Sequence, residues 1–151
     1  MSIFKENLFE SITLEIELNP NKRIIVTNIY RPNSPINGMT SSNQLNEFLE
    51  IMSNLQHNLQ NRNCDSFIFS DQNLDLLKFE QHEKTNTFLE NCFAFGYLPV
   101  ITRPSRITNQ SATCIDNIMT NCINNSYKSG IILNSASDHF PVYFITNFPS
   151  K

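Results

Sequence analysis

Three places in the chain gather side chains that can act on a phosphate ester or hold a hard cation. Asp71 and Asn73 follow the apolar run Ser66 to Ser70, Asp116 sits inside ATCIDNI, and Asp138 and His139 adjoin just before a last apolar stretch. A carboxylate beside an amide can hold a water or a Mg²⁺ shell, because that cation takes hard oxygen ligands. An aspartate near an imidazole fixes its tautomer and favours its charged form. Together they suit metal-assisted attack on phosphorus. Each also has a simpler use. Asp71-Gln72-Asn73 reads equally as an Asx-turn or helix cap, Asp138 as a turn residue, and His139, beside Phe140-Pro141, as a partly buried histidine. Asp116 is harder to dismiss, since a buried carboxylate without a partner is costly. It needs an imidazole, an arginine or several donors nearby. The expectation is that Asp71, Asn73, Asp116, Asp138 and His139 converge at one end of a sheet, with Asp116 bonded to His139.

The elements that must bring them together follow from periodicity. Ser11 to Leu18 (SITLEIEL) alternates strictly, Ile12, Leu14, Ile16 and Leu18 against Thr13, Glu15 and Glu17, which predicts a half-buried strand. Asn19-Pro20-Asn21 is turn chemistry, and Arg23 to Tyr30 completes a hairpin that Pro32 ends. Residues 33 to 40 read as loop. A helix starts at Ser41 or Ser42, either able to cap it, with Leu45, Phe48, Leu49, Met52, Leu55 and Leu59 forming one apolar stripe. Ser66 to Ser70 is a short buried strand. A second helix from about Glu83 carries Phe88, Leu89, Cys92 and Phe93 inward and stops near Gly96. Strands Leu98 to Thr102, Ala112 to Thr120, Gly130 to Leu133 and Phe140 to Thr146 follow, with a frayed tail from Asn147. The order predicts a mixed sheet with helices on one face.

Composition bounds the rest. The chain has 151 residues, one domain's worth, and 40% apolar residues with 12 Phe exclude wholesale disorder. Only 17% of residues are charged and the formal net charge is −3, which argues against holding nucleic acid by bulk electrostatics. A nuclease acting through a few placed residues survives that test. Cys64, Cys92, Cys114 and Cys122 form no C-x-x-C pair and read as free thiols in a reducing compartment. The start MSIFKENLFE has neither a basic n-region nor a signal-length apolar run, and no stretch reaches membrane-helix length, so the expected setting is intracellular.

Read in order, Tyr30-Arg31-Pro32, FIFSDQNLDLL, LPVITRPSRITNQSATCIDNIMTN and SGIILNSASDHFPVYF resemble the endonuclease domain of non-LTR (LINE-type) retrotransposons, of the endonuclease/exonuclease/phosphatase superfamily. The similarity covers about residues 8 to 146. It implies an α+β chain forming part of a four-layer αββα sandwich that lacks its N-terminal third. It also implies a Mg²⁺-dependent nick in DNA that primes reverse transcription. By the same resemblance Tyr30 contacts the phosphate, Asp71 and Asn73 orient the attacking water, and Asp116 orients the catalytic histidine. Asp138 is a metal-side carboxylate, His139 stabilises the phosphate, and Arg103 and Arg106 meet DNA phosphates. The implied partners are DNA and a reverse transcriptase domain on the same polypeptide, acting in the nucleus.

Two differences from the family pattern bear on activity. Ser70 and Gln72 stand where the Gly-Asp-Phe-Asn motif has its small and apolar residues. The family's earlier strand-end Asn and principal metal-binding Glu have no counterpart, since Glu10 in LFESITLEI corresponds to the segment after that Glu. The chain alone is therefore expected to be weak or inactive and to leave apolar sheet surface open. The alternative is a catalytically dead module that binds nucleic acid or protein. A third reading, a phosphomonoesterase or lipid phosphodiesterase, fits the Thr-Arg-Pro-Ser-Arg and Ser-Ala-Thr-Cys-Ile-Asp stretches less well.

Overall fold

The computed structural model describes residues 8–34, 38–123 and 126–148. Strands β1 (Glu10–Asn19) and β2 (Lys22–Tyr30) form the expected antiparallel hairpin. Helix α1 (Ser41–Gln60) then carries the chain to β3 (Asp65–Asp71), which lies parallel to β2. A parallel neighbour cannot be reached by a tight turn, so α1 is the crossover. Helix α2 (Glu83–Ala94) leads to β4 (Leu98–Pro99), β5 (Arg106–Ile107), β6 (Ala112–Thr113) and β7 (Asp116–Thr120). Strands β8 (Tyr127–Ile131) and β9 (Val142–Thr146) close the order. The main sheet runs β1-β2-β3-β7-β4, and β5-β6 and β8-β9 are separate ribbons.

Both helices cover one face of this sheet. Phe48, Met52, Leu55 and Leu59 of α1 and Phe88 and Cys92 of α2 pack with Ile25, Ile29, Ile68 and Met119 into the main core. A smaller cluster of Ile24, Phe67 and Cys122 lies apart, with Phe144 of β9 against Phe67 at 5.2 Å between ring centroids. The cap of α1 is Thr40, whose hydroxyl accepts from Asn43 N at 3.2 Å, and not Ser41 or Ser42, which are its first residues. Helix α2 ends as expected at Gly96, whose φ of +75° lets Gly96 N reach Phe93 O and Tyr97 N reach Cys92 O. Phe93 was expected inward but is 53% exposed, because one residue past Cys92 turns the side chain about 100° away.

Strand boundaries depart from the expectation wherever a side chain replaces a ladder bond. The run Leu98 to Thr102 is strand only at Leu98–Pro99: Val100 N still donates to Ile118 O at 3.0 Å, and beyond it the Asn117 side chain takes both backbone groups of Ile101, at 3.2 and 2.8 Å. The run Ala112 to Thr120 is two strands in different sheets. At its break Cys114 N donates to Asp75 Oδ1, and Ile115 N and Asp116 N donate to Ser105 Oγ. The expected strand Gly130 to Leu133 sits earlier, at Tyr127–Ile131, and Leu133 is exposed. In the tail, Phe148 is docked, its ring 6.4 Å from that of Phe67. Residues 149–151 lie outside the described residues.

The open face carries the other half of the pattern. Ile12, Leu14, Ile16 and Leu18 of β1 alternate as predicted, yet all four are exposed. Thr13, which turns toward the helical side, is hydrogen-bonded to Thr27 Oγ1 at 3.0 Å. Among the described residues no helix is long and apolar enough to cross a membrane, and all four cysteines are free.

Candidate active site

Sheet register gathers the central residues. Tyr30 of β2 pairs with Asp71 of β3, and Asp71 pairs with Asp116 of β7, so the three occupy one rung. Residues directly opposite on neighbouring strands share a face, and this is the face the helices do not cover. One rung further in, Asn28 pairs with Phe69. The loop before β9 brings His139 over this rung, and Asn28, Phe69, Ser70, Asp71, Asp116, His139 and Phe140 line a cavity of about 390 Å³.

Asp116 and His139 form the expected pair. His139 Nδ1 lies 3.2 Å from Asp116 Oδ1 and 3.1 Å from Oδ2. Asp71 joins them, with ligand atoms of Asp71, Asp116 and His139 all within 4.8 Å of one another. Burial, and then the neighbouring Asp116 charge, push the Asp71 carboxyl above its ordinary value, against a smaller opposing pull from His139. Its buried Oδ1 meets no donor among the described residues.

The turn that presents Asp71 is held by Arg31. Arg31 N donates to Asp71 O, Nε to Gln72 O at 2.6 Å and an Nη to Asn73 O at 2.9 Å. Asn73, with φ of +50°, returns its amide to Arg31 O at 2.8 Å. Asparagine tolerates that left-handed backbone better than most residues. The guanidinium also lies 5.5 Å from the Phe48 ring centroid, and burial lowers its pKa against the pull of Asp71. Ser70 and Gln72, on either side of Asp71, are bonded to each other, Ser70 Oγ donating to Gln72 Oε1 at 2.6 Å with both side chains buried.

The remaining expected residues lie around this centre. Tyr30 is exposed on the rung beside Asp71. Asn73 is on the turn, its amide committed to Arg31. Asp138 is outside the group, its carboxylate accepting from Arg106 Nε at 2.7 Å, a bond that lowers its pKa. Arg106 thus faces a carboxylate in this structure, whereas Arg103 is exposed at the surface. Two residues escaped the sequence reading, Arg31 and Ser105. Arg31 stood in plain view inside Tyr-Arg-Pro, but nothing in its type told that it would be buried. Ser105 carried no signal beyond its place between Arg103 and Arg106.

Solved structures share this architecture. Beta toxin from Staphylococcus aureus superposes with a TM-score of 0.64 at 13% identity, covering 91% of this chain and 57% of that one. A beta toxin mutant with bound magnesium ions gives 0.63 at 14% identity over the same shares, 91% and 57%. An endonuclease/exonuclease/phosphatase family protein from Bacteroides thetaiotaomicron gives 0.58 at 13% identity, covering 89% of this chain and 54% of that one. The chain therefore has the mixed α+β fold of endonuclease/exonuclease/phosphatase proteins and spans little more than half the length of these structures. No protein-family model and no curated protein matches it by sequence.

Proposed function

We propose that this chain is part of a Mg²⁺-dependent endonuclease of a non-LTR retrotransposon, descended from an enzyme that nicks DNA and weak or inactive by itself. The observation that carries the reading is Asp71 on one rung with Asp116, and Asp116 bonded to His139 at 3.1 Å, in a concave site. Asp116 holds the imidazole by Nδ1 and leaves Nε2 as the ring atom for a phosphate oxygen. Asp71 orients the attacking water, and the exposed phenol of Tyr30 offers a hydrogen bond to the phosphate. Arg103 supplies charge to the DNA backbone. The same reading makes DNA and a reverse transcriptase on the same polypeptide the partners, and the nucleus the place of action.

The donor set fits a hard divalent cation at Asp71. A buried carboxylate oxygen without a donor, in a carboxyl whose charged form is disfavoured by burial and by Asp116, is relieved by a bound cation. Asp71 and Asp116 would hold Mg²⁺ through oxygen, and Asp138 would join them only by releasing Arg106. Bound there, the ion supplies charge stabilisation at the scissile phosphate. Beta toxin, which shares the fold, has been solved with magnesium bound.

A module that binds without turnover is favoured by one observation. Asn73 and Asp138 are both engaged in protein contacts. Supercoiled plasmid incubated with the purified chain and Mg²⁺ separates the readings. The nuclease reading expects feeble nicking that His139→Ala and Asp71→Asn abolish while duplex binding persists. Nicking indifferent to His139→Ala would overturn it, and duplex binding with no trace of nicking even when the upstream segment of an intact endonuclease is supplied would leave the binding module.

A further inference from the structure

We infer that Ser105 is the residue that positions the Asp116–His139 pair, an inference that rests on reading that pair as the working centre. Ser105 is fully buried, and its hydroxyl is used to capacity. A serine hydroxyl has two lone pairs and one hydrogen. Ile115 N donates to Oγ at 3.1 Å and Asp116 N at 2.8 Å, which occupies both lone pairs. The one hydrogen is then directed to Asp116 Oδ2 at 2.9 Å. The same oxygen atom therefore holds the backbone and the carboxylate of Asp116.

The backbone of Ser105 reaches the other partner. Ser105 N donates to Thr113 O at 2.9 Å, and Ser105 O accepts from Phe140 N, next to His139, at 2.7 Å. The neighbouring residue repeats the tie, since Arg106 forms an isolated bridge with His139 and Ile107 N donates to Asp138 O at 2.9 Å. One residue thus joins the start of β7, which carries Asp116, to the loop that carries His139. The polar tie also accounts for the break between β6 and β7. Of the three amides diverted to side chains there, Ser105 takes those of Ile115 and Asp116, and Asp75 takes that of Cys114.

A consequence for the imidazole follows. Asp116 Oδ2 accepts from a hydroxyl, so the carboxylate stands as an acceptor and His139 Nδ1 must carry a hydrogen. The neutral ring is then held as the Nδ1–H tautomer, the less common one for a free histidine. Loss of the Ser105 hydroxyl frees the carboxylate to turn away from Nδ1, and with it goes the acceptor that selects that tautomer.

Long-range ¹H–¹⁵N spectra of the imidazole test this without any turnover. In the native chain His139 is expected as Nδ1–H. Ser105→Ala is expected to make Nε2–H the major form, and Ser105→Thr, which keeps the hydroxyl, to restore Nδ1–H. An unchanged tautomer in a folded Ser105→Ala chain would overturn the inference. Should the variants not fold, the native chain still decides, because the Ile115 and Asp116 amides must exchange slowly with solvent. Exchange as fast as that of the exposed loop residue Gln110 would likewise overturn it. A native chain that shows the tautomer and the protection yet never nicks DNA, even when the upstream segment of an intact endonuclease is supplied, would defeat the nuclease reading and leave the positioning role intact.

Discussion

The two faces of the main sheet are built on opposite terms. On the helical face Phe48, Phe88, Ile68 and Cys92 are sealed beneath α1 and α2, with neutral polar pairs such as Ser66 and Tyr97 and, at its edge, the buried Arg31 guanidinium against Phe48. On the open face the apolar alternation of β1 ends in solvent, and the sheet instead presents Asp71, Asp116 and, from a loop, His139. The main core and the chemistry are thus separated by one layer of strands, while a smaller apolar cluster of Ile24 and Phe67 lies under Phe144 on the same face as the site. The difference teaches that an apolar stripe marks a face able to be buried without saying that this chain buries it.

The sharpest test of that division compares one deletion on each face. Phe48→Ala, at a fully buried ring, should cost about 3–5 kcal/mol in denaturant unfolding. Leu14→Ala, at a side chain 52% exposed, should cost about 0.5 kcal/mol. Similar costs for the two would erase the contrast.

Next in size is Arg31→Met, since Arg31 links the faces by stacking on Phe48 and donating to the site turn. Leaving the Gln72 and Asn73 carbonyls without their donor should destabilise by about 2 kcal/mol and broaden the Asp71 and Asn73 amide signals. An undisturbed turn would show that the backbone bonds alone suffice.

A smaller effect on stability, with a larger one on behaviour, is expected from the β1 stripe. The chain as it stands should bind an exposed-hydrophobe dye and tend to aggregate. Replacing Ile12, Leu14 and Ile16 by Thr should suppress both while shifting the unfolding free energy by only about 0.5 kcal/mol per site. A sharp melt of the native chain with no dye binding would show the face to be self-sufficient.

The least effect is electrostatic. The folded pKa of Asp71 is raised above its ordinary 3.8, so the native state binds this proton more tightly than the unfolded chain does. The cost of the buried charge is complete above the raised value and gone below 3.8. Asp71→Asn should therefore raise the melting temperature at neutral pH, and the gain should vanish as pH falls through that window. A gain that grew on acidification would reverse the assignment.

What the sequence by itself determined is what local pattern controls. The β1 to β2 hairpin follows from strict alternation around Asn19-Pro20-Asn21, the inward stripe of α1 from its three- and four-residue spacing, and the stop of α2 from Gly96. The order of the motifs also foretold that Asp116 would meet His139, because a carboxylate in an apolar run needs a partner and the chain offers few. The tertiary structure alone decided where side chains displace the backbone ladder. Asn117 cut β4 short and Ser105 split the expected strand at Cys114, and neither event leaves a periodicity to read. It also decided that Arg31 is buried against carbonyls, that Asn73 and Asp138 are drawn away to Arg31 and Arg106, and that the β1 stripe stays open. Those outcomes turn on which distant groups arrive within hydrogen-bond range, which the order of residues along one chain does not contain.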